Sequence, residues 1–579
     1  MTKKRNSDAK NNKPADKFDE KITAYALENA ISHDGKAQAN AVLGKLFLEG
    51  LKKNNVKEIM PRIIKIVSEI NKLKKAQQEE KFNLISNLVK KREHAEREGL
   101  PELENAQKGK VVLRIAPFPS GPLHIGNARQ AILNDEYSKR YNGKLILVFD
   151  DTIGSEEKPI VKDAYRLIPE GLRWLGVKID DTVYKSDRLQ IYYEHALQLI
   201  KKNKAYVCKC SATVLRMNRE AGRECECRKN LIQENVKKWQ EMLEKGKEGE
   251  ETLRIKTDMK YPDPAFRDRV LFRISERKHV RTGKEFRVWP LLDFSMAIDD
   301  HLLGITHIIR GKELMMEGEV EKLIWDAFGW KHPVIIYTGL LELQGVKLSK
   351  SKSAKEVESG EYSGWDDPRA WSLQSLAKRG IRPEAVRAFM IQFSLNQNEV
   401  TVPVEMLYSE NHKFIESADR YFFIEEPKLL KIKNAPEINT EIPLHPEDIK
   451  RGSRKFKTKS EFLISKHDFH IMNDFRGNYR LMHLLNFESH NLNFISKDVD
   501  EKLNAKMMHW LPNDDKQIIR AKILLPSGEW IEGLVEKAIE KVKAGTVIQF
   551  ERFAFCSFQG IAKDKKSKEE IAEFWFTHK

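Results

Sequence analysis

The sequence predicts a multidomain protein of mixed α/β and all-β class, and three observations carry that expectation. Residues from about 20 to 105 keep helical periodicity, the chain from Lys110 alternates short apolar strands with helices, and from about Leu407 it turns to strand-like runs. Its 579 residues leave room for roughly three to five domains.

Met1 to Lys17 is mostly Lys, Asn and Asp. That composition is expected to stay disordered and lacks the apolar core of a signal peptide. In the helical stretch Ile59, Ile63, Ile66, Val67 and Ile70 recur on one face. Lys90 to Glu98 carries dense mixed charge and reads as a solvated helix end before a linker near Pro101. With no catalytic constellation, this module reads as a helical appendage or a protein-docking domain.

Val111 to Ala116 reads as a buried parallel strand. Pro117, Pro119, Gly121 and Pro122 then force a turn, and Ile125, Ala128, Ile132 and Leu133 cover one face of the helix that follows. A strand, a stiff turn and a helix opening at His124 place backbone N–H groups and an imidazole where a phosphate chain would sit. A plain βα turn with a surface histidine is the other reading, and shape alone does not separate the two. Leu145 to Phe149 is a second strand, ended by Asp150-Asp151-Thr152, and a helix follows over Ala164 to Leu175. Ile305 to Ile309, ended by Arg310-Gly311, and Val334 to Tyr337 complete a parallel sheet. Such sheets bind ligands beyond the carboxyl ends of their strands, where Asp150, Arg310 and the His124 turn fall.

Between the two α/β portions lies an insertion, roughly 205–286, with a Lys/Glu-rich helix near Val236 to Lys245. After Ser353 the chain reads as helical to about Asn396. Strand-like runs at Ile518–Leu525 and Thr546–Phe555, with a turn at Pro526-Ser527-Gly528, suggest one or two β-barrels.

The chain carries 102 Lys and Arg against 86 Asp and Glu, a net charge of +16, which favours a polyanionic partner such as RNA or DNA. No apolar run approaches the ~20 residues that span a bilayer, so no membrane partner is expected. Four of the five cysteines, Cys208, Cys210, Cys225 and Cys227, fall within twenty residues. Two close pairs suit a four-thiolate zinc site in a reducing compartment better than disulfides, and the cytoplasm is the expected location. Incidental buried cysteines are the alternative, and Cys556 stands alone.

Neither a Gly-x-x-x-x-Gly-Lys-Ser/Thr loop nor a strand followed by Gly-x-Gly-x-x-Gly occurs, so any ATP must be held another way. The second candidate phosphate site is Val346-Lys347-Leu348-Ser349-Lys350-Ser351-Lys352, just after the last α/β strand. A Lys/Ser run is more often a solvated loop, but this position favours a phosphate clamp.

Together, His124-Ile125-Gly126-Asn127 near the start of the α/β region and Lys347-Leu348-Ser349-Lys350-Ser351 near its end resemble the two signature motifs of class I aminoacyl-tRNA synthetases. More narrowly, Arg114 to Gly126, Phe149-Asp150-Asp151-Thr152 and Ile298-Asp299-Asp300-His301-Leu302-Leu303-Gly304 resemble the archaeal-type glutamyl-tRNA synthetases, which share their C-terminal half with glutaminyl-tRNA synthetases. Gly364-Trp365-Asp366-Asp367-Pro368-Arg369, Gln549-Phe550-Glu551-Arg552-Phe553 and Tyr25-Ala26-Leu27-Glu28-Asn29-Ala30 match further stretches of that family.

The resemblance implies a class I Rossmann-like catalytic domain between an N-terminal helical module and C-terminal β-barrel anticodon-binding domains. The corresponding boundaries are a basic tail 1–20, helical domain 21–105, catalytic parts 106–204 and 287–352, acceptor-end insertion 205–286, stem-contact helices 353–406 and barrels 407–579. It implies a glutamate–tRNA ligase that forms glutamyl-adenylate from L-glutamate and ATP and passes it to tRNA(Glu), with tRNA(Gln) as an open second substrate. His124, Asn127, Lys347 and Lys350 would act on the ATP phosphates, accompanied by Mg2+. Pro119, Gly121, Gly126, Glu313, Leu348 and Ser349 would line the nucleotide site. Arg114 and Arg310 would fork onto glutamate's carboxylates, Asp150 would take its ammonium, and Ala116 and Leu292 would line the pocket. Asn127 stands where the class has histidine, and Leu292 where a tyrosine is usual. Glutaminyl-tRNA synthetase and a non-catalytic tRNA-binding relative are the rival readings. Arg454, Lys455, Phe456, Arg480, Trp510 and Arg552 are expected RNA contacts.

Overall fold

The computed structural model describes residues 14–32, 35–48, 51, 55–89, 99–155, 159–346, 350–563 and 569–579. The chain forms two compact units, residues 1–98 and 99–579.

The first unit contains helices α1 (Pro14–Ser32), α2 (Ala39–Leu48), α3 (Val56–Ile70) and α4 (Lys75–Ile85). Ile59, Ile63, Val67 and Ile70, the stripe visible in the sequence, pack with Ile22, Tyr25, Ala26, Val42 and Leu46 into one core. Burial of that stripe holds the helices together. Gln78 is fully buried and donates its amide to Gly35 O at 3.0 Å and Ile70 O at 2.9 Å. α1 begins at Pro14, inside the stretch read as tail, with proline at the first helical position where its missing N–H costs nothing. Residues 1–13 and 90–98, which include most of the basic tail and all of the charged run, lie outside the described residues.

Residues 99–105, expected to close the helical module, pack instead with the second unit. Leu103 is buried, its N–H donates to Tyr141 Oη at 2.9 Å, and Tyr137 Oη donates to Pro101 O at 2.8 Å.

The second unit is built on a parallel sheet. Its strands are β1 (Val112–Ile115), β2 (Lys144–Phe149) and β3 (Asp181–Tyr184), with α5 (Ile125–Arg140) and α6 (Ala164–Trp174) between them and α7 (Leu189–Lys201) after β3. The insertion follows: β4 (Ala205–Cys208), α8 (Ala212–Glu220), α9 (Ile232–Lys245), β5 (Thr252–Ile255), β6 (Val270–Ile274) and β7 (Val288–Pro290). Its four strands form an antiparallel sheet in sequence order, and pairing of Val288–Pro290 with β6 extends it past residue 286. The chain then returns through α10 (Leu292–Leu302), β8 (His307–Gly311), α11 (Met315–Phe328) and β9 (Val334–Thr338). β8 and β9 pair in parallel. Thr306 N–H donates to Val112 O at 3.0 Å, which brings the start of β8 beside β1 and gives the order β3-β2-β1-β8-β9. Ile125, Ala128, Ile132 and Leu133 of α5 are fully buried, as their spacing requires. Arg129 ties α5 down by donating to Gly339 O, Phe393 O, Ser394 O and Asn396 O.

Residues 350–417 hold helices Lys350–Glu358, Leu373–Lys378, Pro383–Ile391 and Glu405–Ile415. The last lies where strands were expected from Leu407. Leu407, Asn411 and Ile415 recur every fourth residue and are buried on one face, so the barrel region begins near residue 418. Beyond it, a seven-stranded sheet runs Arg420–Tyr421, Val547–Phe550, Ala554–Lys563, Glu570–His578, Ile518–Leu524, Trp530–Glu536, Phe423–Glu425. Its two edge strands are almost consecutive in the chain, so the sheet nearly closes on itself. Smaller sheets of residues 428–512 enclose a second core.

That core corrects most of the RNA contacts expected there. Arg454, Phe456, Arg480 and Trp510 are buried. On Ser453–Thr458 burial alternates, so Lys455 and Lys457 face solvent while Arg454 turns inward to Glu536 at 2.6 Å and Glu551 at 3.0 Å. Arg552 is exposed and bound to Asp468 at 3.1 Å. Arg454→Ala strands two buried carboxylates and is expected to destabilise the chain by about 3–5 kcal/mol. Urea unfolding checks this, and an unchanged midpoint would contradict the arrangement.

Candidate active site and cysteine cluster

Residues 116 to 127 run from the end of β1 into α5. Gly121 holds φ at +151°, and a Cβ built there would lie 2.9 Å from the Trp365 ring, so only glycine fits beneath it. The turn is stitched to residues 371–373: Ile125 N–H donates to Trp371 O at 3.1 Å and Leu373 N–H to Leu123 O at 2.9 Å. Pro119 is buried, its carbonyl accepting from Val161 N–H at 2.9 Å, and Ala116 packs half-buried against the core.

His124 is the N-cap of α5. Gly126 N–H donates to its Nδ1 at 3.1 Å, which puts the proton of the neutral imidazole on Nε2. The His124 N–H donates to Asn127 Oδ1 at 3.2 Å, completing a reciprocal cap. Asn127 therefore holds the helix end that presents His124.

Three cations meet buried carboxylates around the strand ends. On β1, Arg114 uses Nε and Nη2 to grip both oxygens of Asp300, with Nη2 to Oδ2 at 2.8 Å. On β8, Arg310 grips Glu321 with Nη1 at 2.9 Å and Nη2 at 2.7 Å. Burial works against the charge on each arginine, and the paired carboxylate more than offsets it, so both are held above the ordinary guanidinium range. At the end of β2, Asp150 Oδ1 accepts from the fully buried Lys185 Nζ at 2.7 Å, and the same ammonium donates to Ser295 Oγ at 2.8 Å. All three predicted substrate-binding charges thus carry an internal partner. Donor capacity remains: Arg310 Nε and Tyr337 Oη are buried without hydrogen-bond partners among the described residues, with the guanidinium 5.7 Å from the Tyr337 ring.

Leu292 opens α10, half-buried, three residues before Ser295. Glu313 is exposed in a short 3-10 turn, folded back over Gly311. Lys347, Leu348 and Ser349 lie outside the described residues, and Lys350 begins a helix to Glu358.

In the insertion, the sulfurs of Cys208, Cys210, Cys225 and Cys227 all lie within 4.8 Å of one another, with no disulfide. Cys208 and Cys225 are 3.9 Å apart, and Arg254 Nη1 is 3.6 Å from the former and 3.9 Å from the latter. Tyr206 Oη is 3.6 Å from Cys225. The hydrogen bonds from Cys208 and Cys227, joined by that phenol, hold Cys225 well below the usual thiol range.

Residues 110–417 match the family described as "tRNA synthetases class I (E and Q), catalytic domain". Residues 418–507 and 504–559 match its two anti-codon binding domains. The Glutamate--tRNA ligase of Pyrococcus furiosus is 42% identical over 562 residues, covering 93% of this chain and 97% of that one. That of Methanocaldococcus jannaschii is 40% identical over 564 residues, covering 95% and 98%. The chain belongs to the class I glutamyl/glutaminyl-tRNA synthetases. No helix of this synthetase, among the described residues, is long and apolar enough to cross a membrane.

Sequence reasoning placed the two arginines and Asp150 on this synthetase's strand ends but missed what holds them. Asp300 was in view as half of an Asp-Asp pair, whose other member Asp299 binds Arg188 Nε at 2.8 Å and Tyr192 Oη at 2.6 Å. Lys185 could have been found from its place directly after β3. Nothing local marks Glu321 or Tyr337.

Next to Leu292, Asp293 is almost fully buried against Arg269, and burial raises its pKa to about 6. Between that value and the ordinary aspartate range near about 4, the folded chain holds a proton that the unfolded chain has released. This group therefore adds stability as pH falls through that window and withdraws it as pH rises. Asp293→Asn is expected to flatten this part of the stability profile, measured by urea midpoints across the same window.

Proposed function

We propose that this synthetase is a cytoplasmic glutamate–tRNA ligase, activating L-glutamate with ATP and transferring it to the 3′ end of tRNA(Glu). The observation that carries the reading is a His124-capped helix N-terminus directly after β1, with buried arginines Arg114 on β1 and Arg310 on the neighbouring β8. Full-length relatives that bear the name Glutamate--tRNA ligase support it.

Adenylation is an in-line displacement at the α-phosphorus, and the protein gains by positioning reactants and neutralising charge. His124 Nε2–H donates to a phosphate oxygen, Gly126 allows the chain to approach, and Pro119 and Gly121 shape the turn. By the family resemblance, Lys347 and Lys350 would bring further positive charge to the phosphates, Leu348 and Ser349 would line the nucleotide site, and Glu313 would lie toward the adenosine. Mg2+ bound with ATP supplies further neutralisation of the phosphates.

For glutamate, Arg310 Nε and the Nη1 edge of Arg114 are donors left over after Glu321 and Asp300 have taken their shares. They can bind carboxylates without breaking either buried pair. Asp150, anchored through Oδ1, offers Oδ2 to the α-ammonium, and Ala116 and Leu292 close the pocket.

The four thiols fit zinc. A tetrahedron with Zn–S of about 2.3 Å spaces its sulfurs roughly 3.8 Å apart, close to the observed Cys208–Cys225 distance. Cys208, Cys210, Cys225 and Cys227 would hold the ion, fixing an insertion that receives the tRNA acceptor end. The barrels would take the anticodon, the helices of residues 350–417 the stem, and the N-terminal helices a protein partner. tRNA(Gln) remains a candidate second substrate.

Glutamate-dependent ATP–pyrophosphate exchange, run with and without tRNA and with glutamine as control, tests the reading. Exchange with glutamate is expected, and His124→Ala should lower its rate by about 10²–10³-fold. Exchange with glutamine alone, or with neither amino acid, would overturn it. Metal analysis should find close to one zinc per chain, and stripping it with a chelator should lower the unfolding temperature; the Cys208→Ser/Cys225→Ser variant should lack both responses.

A further inference from the structure

The segment Gly364-Trp365-Asp366-Asp367-Pro368-Arg369 follows the helix that opens at Lys350. Trp365 is the ring that covers Gly121 of the ATP turn. Its carbonyl accepts from Ser372 Oγ at 2.6 Å, and Ser372 bridges to His124 itself. The loop is therefore fastened to the turn on both sides of His124.

Arg369 locks the loop from within. Nε and Nη2 donate to the two oxygens of Asp367 at 2.8 and 2.9 Å, and Nη2 also donates to Glu361 O at 2.7 Å. Asp367 in turn accepts from Ser363 N–H at 3.0 Å and Ser363 Oγ at 3.2 Å. The guanidinium stacks 4.4 Å from the Tyr362 ring. Tyr362 N–H donates to Glu356 O at 2.9 Å, inside the helix that opens at Lys350. One guanidinium thus touches the segments leading to both candidate phosphate motifs.

A third body presses on the same group. Gly528, in the turn between strands Ile518–Leu524 and Trp530–Glu536 of the seven-stranded sheet, holds φ at +90°. A Cβ built on it would lie 2.9 Å from Arg369 Cδ and Nε. Nearby, Lys378 joins the same two regions, donating to Asp366 Oδ2 at 2.8 Å with its ammonium 4.2 Å from the Trp575 ring.

We propose that Arg369 is a positioning residue for adenylation, setting the ATP turn through Asp367 and Trp365 and taking its own position from the Gly528 turn of the distal barrel. The proposal rests on the ligase reading. An arginine is suited to this task because one planar fork can satisfy a carboxylate and a carbonyl while its face stacks on a ring. A barrel that shifts at Gly528 would then alter ATP binding without touching ATP.

The test is ATP–pyrophosphate exchange by Arg369→Met, Gly528→Ala and the double variant, with KM for ATP and for glutamate read separately. Met retains the aliphatic stem under the Gly528 turn and removes only the fork, and unfolding temperatures establish that each variant is folded. Each single variant is expected to lower kcat/KM for ATP by roughly ten- to a hundredfold while KM for glutamate moves less than about twofold. The double variant should be no worse than Arg369→Met, since both changes act through one contact. Wild-type ATP kinetics in either folded variant, multiplying effects in the double variant, or equal changes in both KM values would overturn the proposal. A wild-type chain without any exchange would overturn the ligase reading, and this proposal with it.

Discussion

The buried pairing of Arg114 with Asp300 and of Arg310 with Glu321 is the constraint on which the catalytic region depends. Removing four charges from water costs several kcal/mol per ion, and only bidentate geometry in a dry interior offsets that cost. Such pairs are weak sources of stability. What they supply is direction: each arginine is fixed on a neighbouring parallel strand, charged and unable to swing. Lys185 does the same for Asp150 in the opposite sign. A site of this kind keeps its polar groups in place before any substrate arrives, which is how electrostatic preorganisation lowers a barrier. In the proposed glutamate site, the donor atoms that the pairs leave over are the ones that would meet the substrate.

The turn at His124 solves a different problem. A helix N-terminus binds phosphate through N–H groups that the helix itself cannot satisfy, so the backbone there must stay open yet not fray. Here the reciprocal cap of His124 and Asn127, the backbone bonds to residues 371–373 and the ring of Trp365 restrain the turn from three sides. Arg129 anchors the following turn of the helix through four carbonyls. On the proposed reading, this turn would hold a nucleotide without a glycine-rich loop, its rigidity coming from packing against distant segments of chain.

How much of this was legible in the sequence follows from which interactions are local. The parallel strands, α5 and the cysteine pairs could be read because apolar spacing and ligand spacing are properties of short segments. Asn127 could be named, but its capping bond could not be told from a catalytic role, since both need the same residue at the same place. Asp300 lies 186 residues from Arg114, and no periodicity links them. The barrels show the same limit from the other side. Arg454 and Arg480 looked like RNA contacts by composition, yet alternation along a strand sends Arg454 inward, where Glu536 and Glu551 receive it. A basic residue read without its strand phase is assigned to the surface by default. The Glu405–Ile415 helix was missed for a simpler reason: its buried face is three residues at fourfold spacing, too short a signal beside a long run of strands.

If the arginine–carboxylate pairs aim the glutamate site, then weakening one pair must harm glutamate binding and leave ATP alone. Asp300→Asn keeps the shape of the partner and removes its charge. Measured by ATP–pyrophosphate exchange, KM for glutamate is expected to rise by about tenfold or more, with KM for ATP within about twofold of the parent. An unchanged KM for glutamate in a folded, active variant, or an equal rise for both substrates, would contradict the account.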